Sequence, residues 1–212
     1  MDSVESYVAA LQGTLNRLPW DDIRAVITAL HHARLAGRQV FVMGNGGSAA
    51  TASHFACDLG KGAALPGYPL FRVIALTDNM PVFSAYANDC GYEHVFARQL
   101  ENLLQPDDLV IGISGSGNSP NVLNAVELAR QRGATTIALV GFDGGQLKER
   151  VDLCIHVGND CMEQVEDVHV ILAHLMASVL RQLLLEPHCL LSAPQDEEQP
   201  VEDEPHATGC LS

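Results

Sequence analysis

Lysine is almost missing from this sequence, which has only Lys61 and Lys148 among its 212 residues. Basic residues number 12 against 26 acidic ones, giving a formal charge of −14. A nucleic acid or an anionic membrane surface needs a basic footprint on its partner, so neither is expected here. No uninterrupted apolar run reaches the roughly 18 residues that span a bilayer, and the acidic start MDSVESYVAAL is unlike a signal peptide. The six cysteines (57, 90, 154, 161, 189 and 210) form no C-x-x-C pair, so their spacing supports no zinc–thiolate site. Scattered thiols beside apolar neighbours, as in HFACDL and DLCIHV, read as reduced and structural, which predicts a cytoplasmic protein.

What remains is ordinary globular material, 47% hydrophobic and 18% charged. The charge is uneven. Residues 187–212 hold six acidic residues, four prolines and no Lys or Arg. That composition predicts a mostly disordered tail behind a single domain over 1–186. The domain opens with two amphipathic stretches, Val4 to Leu18 and Asp21 to Leu35, read as a helical extension with Asp21 or Asp22 capping the second helix. Short apolar runs then recur at 40–43, 72–76, 109–113, 136–140 and 153–157, with helical or turn material between them. This βαβα rhythm predicts a parallel sheet with helices on both faces. A last helix from near Glu163 should stop at Pro187.

Ligands of such sheets bind at the carboxyl ends of the strands, where two loops stand out. Gly44-Asn45-Gly46-Gly47-Ser48 lies between a strand and a helix. Glycines there allow close approach of an anion, and the helix start offers free N–H groups. It matches neither the dinucleotide fingerprint nor a Walker loop, and a tight turn with a capping serine is the plain alternative. Ser114-Gly115-Ser116-Gly117-Asn118-Ser119-Pro120 follows another strand. Its three hydroxyls can converge on one phosphate, with Pro120 suited to the first helical position. Two such loops together argue for a phosphate more strongly than either alone.

His54 and Asp58 are four residues apart on the helix after the first loop, so they share a face. The pair suits a metal, acid–base chemistry or a surface ion pair. On the last helix, Glu163, Glu166, Asp167, His169 and His174 interrupt an apolar stretch and need partners or a function. Helical spacing favours Asp167 as the partner of His174, because Glu166 is offset by about 80°. His169 reads as an ordinary helix residue.

With Ala87-Asn-Asp-Cys-Gly-Tyr-Glu-His94 and Gly141-Phe-Asp-Gly-Gly-Gln-Leu147 added, these motifs resemble the sugar isomerase (SIS) family and its phosphoheptose isomerase branch, over about residues 5–185. The resemblance implies a flavodoxin-like five-stranded parallel sheet. It also implies an aldose–ketose isomerase that converts sedoheptulose 7-phosphate to D-glycero-D-manno-heptose 7-phosphate through an enediol. Asn45, Gly46, Gly47, Ser48, Asn88, Asp89, Ser114, Gly115, Ser116 and Ser119 would bind the sugar phosphate, together with Asp58 and Glu166. His54, Asp58, Glu166 and His174 align with the family's metal ligands, for zinc first among divalent metals. Asp58 or Glu166 would be the base and His174 the acid. The assembly would be a homotetramer with pockets at subunit interfaces. Three positions depart from the family: Gly115 replaces Thr, Asp58 replaces Glu, and Glu166 replaces Gln. The alternatives are a catalytically silent scaffold of the same family, like its replication-initiator-associating proteins, which retention of His54, Asp58 and His174 argues against, and an isomerase of another ketose phosphate.

Overall fold

The computed structural model describes residues 3–186, so the tail expected to be disordered lies outside the described residues. Five strands, β1 (Gln39–Gly44), β2 (Arg72–Ala75), β3 (Leu109–Ser114), β4 (Thr135–Val140) and β5 (Leu153–His156), form one sheet in the order β2-β1-β3-β4-β5. Every pairing is parallel, as the apolar runs predict. The order reverses between β1 and β3, and such a switch point leaves a crevice at the carboxyl ends of the two strands. Both glycine–serine loops leave from these strands.

Alternation along the strands divides the core in two. Val40, Val42, Ile111, Ile113, Ile137 and Leu139 face one side. There they meet α2 (Trp20–Leu35), α3 (Gly47–Cys57) and α8 (Met162–Leu185) through Ile27, Leu30, Phe55, Leu172 and Met176. Phe41, Met43, Val110, Ala138 and Val140 face the other side. They meet α5 (Val95–Leu103), α6 (Pro120–Gln131) and the short α7 (Gly145–Lys148), while α4 (Met80–Cys90) adds Phe83 and Tyr86 at the margin.

Three expectations change. Only α1 (Ser3–Leu15) is an extension, since α2 buries Ile23, Val26, Ile27 and Leu30 in the core. The cap of α2 is Pro19, and Asp21 and Asp22 fall inside its first turn, where they complement the helix dipole instead. By length and composition alone α8 could cross a membrane, because its apolar stretch tolerates the interrupting charges. Half of that stretch is buried against the sheet and α3, the pattern of a core helix. Four cysteines (57, 90, 154 and 161) are free, and burial pushes the Cys154 thiol up to about 11, which keeps it inert.

His169, on α8, is 1% exposed, and neither ring nitrogen makes a hydrogen bond of good geometry. Burial lowers its pKa to about 4, and the nearby Val140 carbonyl offsets little of that. Below its ordinary pKa of about 6.5 the unfolded chain gains a proton that the folded one refuses, so stability falls as pH drops towards 4. The share lost between pH 7.5 and 5 is about 2 kcal/mol. His169→Leu should remove this share, so that the urea midpoint falls less over that interval. Equal losses in both proteins would exclude His169 as the source.

Candidate phosphate and metal site

At the end of β1 the chain doubles back at once. A β-carbon on Gly44 would lie 2.6 Å from the Ser48 carbonyl oxygen, so only glycine permits the turn. Gly46 has φ 54° and ψ −123°, a conformation open mainly to glycine. The turn aims the start of α3 into the crevice, where its first N–H groups have no intrahelical acceptor. Ser48 is buried there at 6% exposure. Asn45 and Asn121 exchange amide hydrogen bonds of 2.8 Å, and the Tyr92 hydroxyl donates to Asn45 Oδ1 at 2.8 Å. This amide pair ties the first loop to α6, immediately behind the serine loop.

In the serine loop, Ser114 and Ser119 hydroxyls lie 3.2 Å apart. Ser119 is the cap residue of α6, with Pro120 next to it, yet its side chain makes no capping bond. The hydroxyl is thereby left to face Ser114. Ser116 is exposed, and its Oγ accepts from the Asn118 N–H at 3.3 Å. The expected three-way convergence is therefore a close pair plus one outer hydroxyl. Gly115 has a local reason. A β-carbon there would lie 2.6 Å from Met162 Sδ, so the first residue of α8 closes over the space a threonine would fill.

Beyond Cys57, α3 widens into one turn of π-helix, Asp58–Gly62, closed by the Ala63 N–H to the Asp58 carbonyl at 2.7 Å. Such bulges recur at functional sites. His54 Nε2 lies 2.7 Å from His174 Nε2, while Asp58 Oδ2 lies 3.3 Å from the first and 3.7 Å from the second. Despite those distances Asp58 Oδ2 is buried and accepts no hydrogen bond. An unpaired buried carboxylate oxygen is costly, and two imidazole nitrogens facing each other can share only one proton. All three atoms lie within 4.8 Å of one another, and a divalent cation among them would satisfy each. The donor set fits a metal. A metal held at His174 Nε2 would exclude proton donation by that atom, because it faces the cluster.

Glu166 stays outside the cluster. Its two carboxylate oxygens would each lie 2.5 Å from a β-carbon on Gly47, so the carboxylate rests on the first residue of α3. Asp167, favoured by helical spacing, instead accepts from the Tyr7 hydroxyl of α1 at 2.7 Å, which raises the Tyr7 pKa to about 12. Asn88 and Asp89 bond to each other at 2.8 Å on the exposed end of α4, and no hydrogen bond joins either to the loops among the described residues. Three site features escaped the motif reading: Asn121, Tyr92 and Arg181. Arg181 lines a cavity of about 230 Å³ with Asp58, Gly62, His174, Ala177 and Ser178. Its signal was the seven-residue spacing from His174, nearly two full turns.

An open parallel sheet with a glycine–serine loop on each side of its switch point, and a His–Asp–His cluster further along α3, defines an α/β domain of the class that takes ligands at the carboxyl ends of its strands. A SIS domain model matches residues 5–141. The chain belongs to the SIS family, in its phosphoheptose isomerase branch. It is 39% identical over 161 residues to the phosphoheptose isomerase of Akkermansia muciniphila, covering 76% of this chain and 85% of the relative. The Trichlorobacter lovleyi phosphoheptose isomerase is 43% identical over 148 residues, 69% of this chain and 74% of the relative. A solved phosphoheptose isomerase from Francisella tularensis superposes with a TM-score of 0.77 at 30% identity, over 86% of this chain and all of the other.

Proposed function

We propose that the protein isomerises sedoheptulose 7-phosphate to D-glycero-D-manno-heptose 7-phosphate. The observation that carries this is the layout of α3, which starts at the phosphate loops and ends at the metal cluster. Ser48 and His54 are six residues apart, about 9 Å along the helix. An open seven-carbon chain can reach from one to the other, with its phosphate at Ser48, Ser114, Ser116 and Ser119 and its C1–C2 end towards His54. Neutral hydroxyls, N–H groups and the dipoles of α3 and α6 hold the phosphate, and no cationic side chain is needed.

The reaction moves a proton from C1 to C2 while the O1 hydroxyl proton passes to O2, so the ketose becomes an aldose with no net redox change. His54, Asp58 and His174 would hold a divalent metal, and three protein ligands leave a position open, as catalytic zinc sites do. When bound, the metal supplies charge stabilisation for the oxygen of the enediolate. Asp58 or Glu166 would carry the proton between the carbons, with His174 as the acid. Asn88 and Asp89, on the exposed end of α4, would meet the sugar hydroxyls. Incubating the purified protein with sedoheptulose 7-phosphate should yield an aldose phosphate by NMR, and an unchanged spectrum would reject the function.

The assembly is proposed to be a homotetramer. On α1, Val4 and Val8 are 69% and 49% exposed one turn apart, an apolar strip that further copies of the chain would cover. Sedimentation of a chain ending at Glu186 should therefore still show a multimer. A monomer at micromolar concentration would refute it.

A further inference from the structure

Residues 141–147, rich in glycine, leave β4 and fold back on the serine loop. The Gly141 N–H donates to the Gly115 carbonyl at 2.8 Å, and the Leu147 N–H to the Gly117 carbonyl at 2.9 Å. A third bond runs from the Gln146 N–H to Asn118 Oδ1 at 3.1 Å. The fit is close: a β-carbon on Gly145 would collide with the Ser116 carbonyl oxygen, and one on Gly117 with that of Gly144. To make this turn the chain enters the left-handed region three times, at φ 49° for Phe142, 92° for Gly144 and 54° for Gly145. Glycine takes such angles freely. For a bulky aromatic residue they cost free energy and persist only where the surroundings hold them.

The Phe142 peptide is held on both sides. Its N–H donates to the Asn159 carbonyl at 3.1 Å, and its carbonyl accepts from His156 Nε2 at 2.8 Å. His156 ends β5, in register with Val140. The other ring nitrogen, Nδ1, lies 3.3 Å from Lys148 Nζ. An ammonium only donates, so Nδ1 is the acceptor and the ring proton sits on Nε2, aimed at Phe142.

Resting on the phosphate placement given above, we propose that His156 is a positioning residue for sugar-phosphate binding. Its Nε2–H holds Phe142 in the left-handed turn, and the turn holds the serine loop in the shape that receives the phosphate. His156 itself touches no substrate. Without its bond Phe142 relaxes towards an ordinary negative φ, and the segment draws away from Gly115, Gly117 and Asn118. The serine loop must then be ordered at the moment the phosphate binds, which weakens binding. That cost falls on the phosphate end of the substrate and not on the carbons placed near His54. A raised KM with kcat unchanged is the signature of such a loss.

The test uses the full chain with His156→Leu, His156→Gln and the double variant His156→Leu/Phe142→Gly. Glutamine keeps a donor near the place of Nε2, and glycine accepts a positive φ without strain. Three quantities are read for each protein: steady-state kinetics with sedoheptulose 7-phosphate, the Kd for inorganic phosphate by calorimetry, and metal per chain by elemental analysis. His156→Leu should raise KM and the phosphate Kd together by about tenfold, the scale of one strained residue released. Its kcat should stay within about threefold of the parent and its metal content should match. His156→Gln should recover most of the loss, and so should the double variant, because its residue 142 no longer needs holding. His156 is only half-buried, so His156→Leu should fold; if it does not, His156→Asn, whose amide is too short to reach Phe142, takes its place under the same criteria. A KM and phosphate Kd within about twofold of the parent overturn the proposal, and so does a fall in kcat or metal content with KM unchanged. A double variant no better than His156→Leu overturns it too, since a histidine that merely supports the sheet is not rescued by a glycine 14 residues away. A parent protein that binds neither sugar phosphate nor inorganic phosphate defeats the phosphate placement itself, and the role of His156 falls with it.

Discussion

Replacing His174 with alanine should lower turnover by about two to four orders of magnitude, because a metal's charge stabilisation is worth several kcal/mol and each 1.36 kcal/mol is tenfold in rate. His174 provides one of the three atoms that converge in the cluster among the described residues. Without it, His54 Nε2 and Asp58 Oδ2 remain at 3.3 Å, a pair too small to hold a divalent ion firmly. The fold should survive, since the His174 side chain is 56% exposed and its removal leaves no buried cavity. The checks are elemental analysis for lost metal, steady-state kinetics for lost turnover, and an unchanged thermal transition. Parent-like turnover in the variant would show that the chemistry does not depend on this cluster.

The sheet and its loops were legible because their signals are local. Short apolar runs marked every strand, and the two loops were recognisable by the residues that a strand-to-helix turn and a phosphate both favour. The order β2-β1-β3 was not written in any one segment, yet it is what places the two loops side by side. The Glu166 and Asp167 pair shows where local reasoning ends. Spacing on α8 favoured Asp167, but the face that a helix presents is decided by what packs on it. Tyr7, 160 residues away in sequence, takes Asp167, while Gly47 leaves room for Glu166. The π-turn after Cys57 was equally hidden, because a reading at 3.6 residues per turn assumes a regular helix through Asp58. Gly115 looked like a lost donor and is better described as a packing exchange with Met162, a residue 47 positions later.

The change with the most to say about the division of labour is Asp58→Asn. Partners that merely orient a metal ligand cost about 10–100-fold in affinity or activity when removed, so loss of a ligand should cost at least about 100-fold in metal affinity. The amide keeps the shape of Asp58 but replaces its buried anionic Oδ2, which has no other hydrogen-bond partner to fall back on. Turnover measured at trace metal should therefore nearly vanish. Raising the zinc concentration should refill the weakened site and restore a measurable part of the rate, because mass action compensates for a ligand but not for a missing base. Asp58→Glu sharpens the comparison. One more methylene carries the carboxylate about 1.5 Å further, past an oxygen position that already lies 3.3 Å and 3.7 Å from the two imidazole nitrogens. If Asp58 is a ligand fitted by the π-turn, the longer side chain should bind metal less tightly than the parent and follow the same zinc-dependent recovery. A variant whose rate stays lost at saturating zinc, with metal bound in full, would instead assign the proton transfer to Asp58.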